Sequence, residues 1–322
     1  MQGEDRSAVG IAVLVDADFA SRRGRDDTTR GNVGEPVHIC MMPRSRALYA
    51  PRRSLSGVSA PKMLVVVAHP DDETFGCGSV IAHAAIRGVE VTVCCATRGE
   101  AGVDATGTTS SSSELAKLRE AELHAAGAIL GVSHIELLDF ADSDMTGAMS
   151  PHALAAVPLA HVVDAVAEVI KRRQPDIVVA LDADGLQDHR DHVRIGLATR
   201  DAFRAVCSPP TRLYYWTIRR SAIQRWSDEQ RARQAHADYT EIDLGRSDEE
   251  ITMVLDTTDV LARRRAAIAE HRSQVSPFAG VSESVELAFL GEAHLVRIEP
   301  AWDGAETETE LFGAARSELP QT

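Results

Sequence analysis

Aromatic residues are scarce in this chain, only 4% of its 322 positions, too few for a stacking platform that would hold single-stranded nucleic acid. Positive charge is short as well. Thirty-four Lys and Arg face 48 Asp and Glu, and the net charge of −14 disfavours nucleic acid or anionic membrane as a partner. No apolar run approaches the roughly 20 residues that a membrane-spanning helix needs. The five Cys include no CxxC pair and no zinc-ribbon spacing. Cys94 and Cys95 adjoin on an expected strand and point to opposite faces, so no bridge is expected between them and a reducing cytoplasm fits. What is left, 44% hydrophobic and 25% charged, is the composition of an ordinary globular protein.

Residues 1–60 differ from the rest. They are rich in Arg and Asp, as in Ser21-Arg-Arg-Gly-Arg-Asp-Asp, and carry no sustained helical or strand period. The short run Gly10–Val15 lacks a preceding basic region and makes a poor signal peptide. The segment reads as disordered or as an over-extended start, with Met42 or Met63 as alternative initiators. From Lys62 the pattern turns regular. Strands are expected at Met63–Ala68, Glu90–Ala96, His134–Leu138, Ile177–Leu181 and Leu213–Ile218. Helices are expected up to Arg87-Gly88, from Ser111 (a capping box with Glu114) to Ile129, and over Leu154–Arg173 and Val193–Val206. Further on come a helix over Gln224–Ala237, a strand at Ile251–Leu255, a helix capped by Asp259 and running to His271, and a strand at Leu295–Ile298. Alternating β and α elements imply a single-domain, Rossmann-like doubly wound, mostly parallel sheet in three α/β/α layers, spanning 61–300. Residues 301–322 read as a flexible acidic tail.

Two polar clusters stand directly after buried strands, His69/Asp71/Asp72/Glu73 and His189/Asp191/His192. In an open α/β sheet that is where ligands bind. Either cluster alone is also what a helix N-cap with solvated carboxylates looks like. Together, two His and an Asp make a ligand set for catalytic zinc that leaves a position for water.

These motifs resemble the LmbE-like, or PIG-L, zinc deacetylases, over about residues 62–300. The family's Ala-His-Pro-Asp-Asp-Glu stands at 68–73, its Thr-Arg-Gly-Glu at 97–100 and its Leu-Gly-Val at 130–132. Its His-x-Asp-His stands at 189–192 and its His-x-Ser-Gln at 271–274. The resemblance implies that His69, Asp72 and His192 ligate zinc (iron(II) would suit the same donors) and that Asp71 is the general base for water attacking an amide carbonyl. His189 would support the oxyanion or protonate the leaving amine, oriented by Asp191. Glu73 would lie behind the ligands. Arg119, in the second helix, and Asp142, in the turn Asp142-Ser-Asp-Met145, would contact the sugar, and Glu100 would line the pocket.

The implied activity is deacetylation of an N-acetylglucosaminyl small molecule by a cytoplasmic enzyme, with a homo-oligomer as a further expectation. An amidase acting on a mycothiol-like conjugate, a metal-dependent phosphoesterase and a non-catalytic sugar-binding protein are the alternatives. Two departures bear on the substrate: Leu186-Gln-Asp precedes His189 where the mycothiol-type deacetylase carries a Tyr and a Gly, and Arg190 replaces the usual Pro. Gly76-x-Gly78 is read as permitting close packing rather than as a dinucleotide fingerprint. His83, His124, His161 and His236 are read as surface or packed residues, Cys77 as partnerless, and the Ser-rich loop 97–113 as a lid or a connector. His271 and Gln274 match the family pattern with no chemical role attached.

Overall fold

The strand that opens the regular pattern, β1 (Lys62–Val67), is buried from Met63 onward and hydrogen-bonds in parallel to a neighbour on each side. A strand covered on both faces needs the continuous Val-rich run found here. The computed structural model describes residues 59–145, 147–186, 189–233, 244–304 and 306–312. The segment expected to be disordered therefore lies outside the described residues up to 58, as does His236.

Beside β1 lie β2 (Glu90–Cys95), β3 (His134–Leu137), β4 (Ile177–Leu181), β5 (Arg212–Thr217), β6 (Met253–Asp256) and β7 (Glu292–Glu299). They form one sheet in the order β3-β2-β1-β4-β5-β7-β6, parallel throughout except that β7 runs against both of its neighbours. After β1 the chain steps outward to β2 and β3, then returns to β4 on the other side of β1. The crevice past the ends of β1 and β4 is the topological switch point. Helices α3 (Leu159–Arg173) and α4 (Arg190–Val206) pack together over β1. Another layer holds α1 (Gly78–Ile86), α2 (Ser112–Leu130) and α6 (Leu261–Ile268), while α5 (Arg220–Ala232) packs on α7 (Glu283–Leu290). No helix among the described residues is long and apolar enough to cross a membrane.

Several boundaries differ from expectation, each for a local reason. Helix α4 begins at Arg190 rather than Val193, because the His189 ring accepts the Asp191 N–H and caps it. Helix α3 begins at Leu159 rather than Leu154. The Leu154 N–H goes to Ala141 O at 2.8 Å, holding that stretch in a turn until Pro158. Asp259 does not cap a helix; it pairs with Arg87 at 3.3 Å, and α6 ends at Ile268. The capping box at α2 is half formed. Ser111 accepts from Glu114 N, but the Glu114 carboxylate turns to Ser110. Helix α7, capped by Ser282, carries too few residues for its period to show in sequence. Finally, the chain stays packed beyond 301. Tyr214 donates to Glu308 at 3.0 Å, and Leu311 is buried, while residues 313–322 of the expected tail lie outside the described residues.

Candidate metal-centred active site

Between β1 and α1 the chain makes a π-helical turn over Asp72–Gly76. The free N–H groups at the end of β1 converge on one carboxylate: Asp72 Oδ2 accepts from His69 N at 2.8 Å and from Ala68 N at 3.2 Å. This fixes Asp72 and turns Oδ1 toward the first turn of α4, where His192 Nε2 stands 3.3 Å away. His69 Nδ1 lies 3.5 Å from Asp72 Oδ2. Ligand atoms of His69, Asp72 and His192 all fall within 4.8 Å of one another. Zinc bonds of about 2.0–2.1 Å in a tetrahedron set donors about 3.3 Å apart, so the donor set fits the ion that the sequence implied. The three expected ligands, 123 positions apart at the extremes, are thus brought together by the switch point (192 − 69).

The second nitrogen of His69 has carboxylate partners. Its Nε2 is 3.3 Å from Asp191 Oδ2 and 3.6 Å from Asp142 Oδ1. A metal-binding imidazole characteristically gives its other N–H to such a group, which sets the tautomer and strengthens the donor. Burial pushes the His69 imidazolium down, yet Asp142, Asp191 and Asp72 together outweigh burial and hold it well above its usual range. Asp142 is in turn held well below the usual carboxylate range: burial works against this, but the adjacent His69 dominates.

Asp191 was expected to orient His189 through its carboxylate, and the structure revises that. The carboxylate faces His69 and accepts the Ser143 N–H at 3.0 Å, because the first turn of α4 rotates it inward. His189 is steadied instead by the Asp191 backbone N–H, which donates to Nδ1 at 3.0 Å. With Nδ1 accepting, the neutral ring carries its proton on Nε2. Burial and the neighbouring His69 and His192 push His189 down to about 3, so it stays neutral.

Ligand atoms of His69, Asp142, His189 and Asp191 also converge within 4.8 Å, and Asp71 belongs to neither this group nor that of His69, Asp72 and His192. Its backbone is at φ 127°, ψ −33°, a conformation that non-Gly residues avoid at a cost of about 1–3 kcal/mol. Burial pushes its carboxyl up to about 6, opposed by Arg119 and reinforced by Asp72. Arg119, expected at the sugar, is buried and engaged within the protein. It donates to Asp71 Oδ2 at 3.1 Å, Pro70 O at 2.6 Å and Gly99 O at 2.8 Å. Gly99 makes that possible: its φ is 65°, and a Cβ there would sit 2.2 Å from the guanidinium. Gly76 and Gly78 serve close packing, as expected, with Trp216 and Arg264 as the neighbours a Cβ would meet.

Glu100 Oε1 accepts the Asp142 N–H at 2.9 Å, and its Oε2 is buried with no partner. Glu100 lines a cleft of about 340 Å³ with Gly102, Asp104, Thr109, Ser111 and Leu115. The Ser-rich loop has internal order, since the Asp104 carboxylate accepts from Thr106, Thr108 and Thr109. Arg190, the departure from Pro, donates to Asp144 O at 2.7 Å and ties the Asp142 turn to the start of α4. Gln187 and Asp188 lie outside the described residues. Burial pushes the Cys77 thiol far up, which leaves it inert, and His83 is buried in packing.

The C-terminal segment supplies supports that the sequence did not reveal. Arg264 is almost wholly buried and has no carboxylate partner among the described residues. Its donors reach Thr74 O, Phe75 O and Gly76 O at 3.3, 2.6 and 3.1 Å, and Ser79 Oγ and Phe289 O at 2.6 and 3.0 Å. Burial pushes it down to about 9. His271 lies 2.7 Å from Glu73 Oε1, and Ser273 donates twice to Glu122, at 2.8 and 2.6 Å. Gln274 braces Ser273 from 3.0 Å. Arg264 sits in Arg263-Arg-Arg265, which reads as solvated charge; only its place one turn after Val260 on an inward face would have marked it.

A family model described as PIG-L, GlcNAc-PI de-N-acetylase, matches residues 64–203. The chain is 31% identical over 273 residues to the 1D-myo-inositol 2-acetamido-2-deoxy-alpha-D-glucopyranoside deacetylase of Mycolicibacterium smegmatis, covering 76% of this chain and 92% of that one. The structure of N,N'-diacetylchitobiose deacetylase from Pyrococcus horikoshii matches with a TM-score of 0.52 at 22% identity, over 74% of this chain and 84% of its own. GalB, the 4-carboxy-2-hydroxymuconate hydratase of Pseudomonas putida KT2440, matches with a TM-score of 0.51 at 19% identity, over 75% of this chain and 98% of its own. At these identities the two structures establish the fold alone. One is a deacetylase and the other a hydratase, so the chemistry has to be read from side chains.

Proposed function

Because the chain belongs to the PIG-L, GlcNAc-PI de-N-acetylase, family, we propose that it is a cytoplasmic, zinc-dependent deacetylase of an N-acetylglucosaminyl small molecule of the inositol-linked kind. The convergence of His69, Asp72 and His192 beside a non-ligating Asp71 carries this reading. Zinc held by those three side chains would supply Lewis-acid activation of water and of the amide carbonyl.

The remaining chemistry falls to the protein's own groups. Asp71, pushed up to about 6, is ionised at neutral pH yet basic enough to take the proton from the attacking water. Arg119 holds its carboxylate from one side and so fixes the direction of proton transfer. His189, neutral with its proton on Nε2, would donate a hydrogen bond to the oxygen that gains charge, and the proton taken up by Asp71 would pass on to the departing amine. Glu100, which lines the cleft, and Asp142, whose backbone N–H it accepts, are the carboxylates assigned to the sugar hydroxyls.

The test is metal analysis of protein purified without chelator, paired with acetate release from N-acetylglucosaminyl-inositol and from its thiol conjugates. One zinc per chain, acetate from the unconjugated sugar and near-complete loss in Asp71→Asn are expected. Two metals per chain would favour a phosphoesterase, and full turnover by Asp71→Asn would refute the mechanism.

A further inference from the structure

Asp71 is held at two ends, and only one of them concerns its side chain. Arg119 grips the carboxylate, while the backbone N–H of Asp71 donates to Glu73 Oε2 at 2.9 Å. Glu73 is fully buried. Its other oxygen receives Thr74 Oγ1 at 2.6 Å and His271 Nε2 at 2.7 Å. The His271 side chain is also fully shielded, and among the described residues its Nδ1 has no partner, while Nε2 contacts Glu73 and Thr74. Neither Glu73 nor His271 belongs to a converging ligand group. A buried carboxylate with one oxygen on a left-handed backbone N–H and the other on a distant His is a device for holding a backbone conformation. It stands next to the one aspartate in the site at φ 127°.

We infer that Glu73 and His271 are positioning residues that hold Asp71 in its left-handed conformation, so that its carboxylate is aimed across the crevice rather than into the ligand cluster. The inference rests on the reading of Asp71 as the general base. It also gives His271, supplied from 200 residues downstream (271 − 71), a part in the reaction without touching substrate.

Two substitutions separate positioning from plain structural support. Glu73→Leu removes the acceptor, whereas Glu73→Gln keeps one oxygen for the Asp71 N–H. Misplacing a catalytic group by about 1 Å costs about 100-fold, so kcat for acetate release from N-acetylglucosaminyl-inositol should fall by about that factor in Glu73→Leu and only about fivefold in Glu73→Gln. KM and bound zinc per chain should stay at wild-type values in both. Equal losses in the two variants, or a loss carried by KM or by zinc content, would overturn the inference.

Should Glu73→Leu not fold, His271→Leu replaces it, with an expected fall in kcat of about tenfold that His271→Gln restores. No recovery in His271→Gln would equally overturn it. Wild-type protein that releases no acetate would instead defeat the functional reading. Melting then decides the positioning claim: the Tm lost through His271→Leu should be smaller in an Asp71→Gly background, where glycine needs no holding. An equal Tm loss in both backgrounds would refute it.

Discussion

The two turns that carry the site make opposite use of similar surroundings. Both follow buried parallel strands, β1 and β4, and both open into the same crevice. The turn after β4 is an ordinary helix start: His189 caps α4, and His192 arrives one turn later at no conformational expense. The turn after β1 is a π-helical turn with a left-handed aspartate, enforced by Arg119, Arg264 and the Glu73–His271 pair. A metal ligand needs only direction, which a helix supplies through its regular geometry. The proposed general base, Asp71, must stand beside the proposed ligands without joining them, and it does so on a strained backbone among several buried supports.

The largest effect that would break this contrast is loss of a ligand. His192→Ala should remove zinc and lower acetate release by at least about 10³-fold, while melting of the metal-free protein changes little. Retention of zinc at one per chain would show that the α4 turn is not a ligand turn. Next comes the support of the β1 turn. Arg264→Met removes the guanidinium donors from three turn carbonyls and the Phe289 carbonyl, and should destabilise the protein by about 3 kcal/mol in denaturant melts. A loss below about 1 kcal/mol would mean that the turn holds itself.

Asp191→Asn probes the link between the two turns, since its carboxylate lies on α4 and faces His69 in β1's turn. Zinc affinity should drop about 10–100-fold, as for other carboxylates behind a metal-bound imidazole. Unchanged zinc affinity with a crippled kcat would instead return Asp191 to His189. The smallest effect is a shift in pH dependence. Asp71 works as a base only when ionised, so kcat/KM should fall as the pH drops through an acid limb at or below about 6. A zinc ion nearby would move the limb lower, whereas Arg119→Gln removes a charge that favours the anion and should move it up. No shift in that variant would separate Arg119 from the base.

Much of the site was legible because its residues cluster in sequence. His69, Asp71 and Asp72, like His189 and His192, lie within a turn of one another, and the Val-rich run before the first cluster places it at a sheet edge. Arg119 was legible as a functional position but not as a partner of Asp71, since its contacts reach back 48 residues. The role of Asp191 was misjudged for a related reason. Adjacency to His189 in sequence suggested a carboxylate–imidazole pair, but helical geometry rotates the carboxylate toward His69. His271 was marked by its motif but given no role, since its partner Glu73 lies 198 residues away, and Arg264 carried less signal still, because a buried arginine looks in sequence like any surface one.

By itself, the sequence determined the alternation of strands and helices and marked the His and Asp residues that we propose hold a metal and accept a proton. These are local matters, set by hydrophobic period and by which side chains can hold a cation or a proton. Only the tertiary structure decided which carboxylate serves which imidazole, and that a distant histidine and arginine hold the first turn in shape. Those pairings depend on directions in space between segments far apart along the chain. Hydrogen bonds of about 3 Å are sensitive to such directions, and residue order does not encode them.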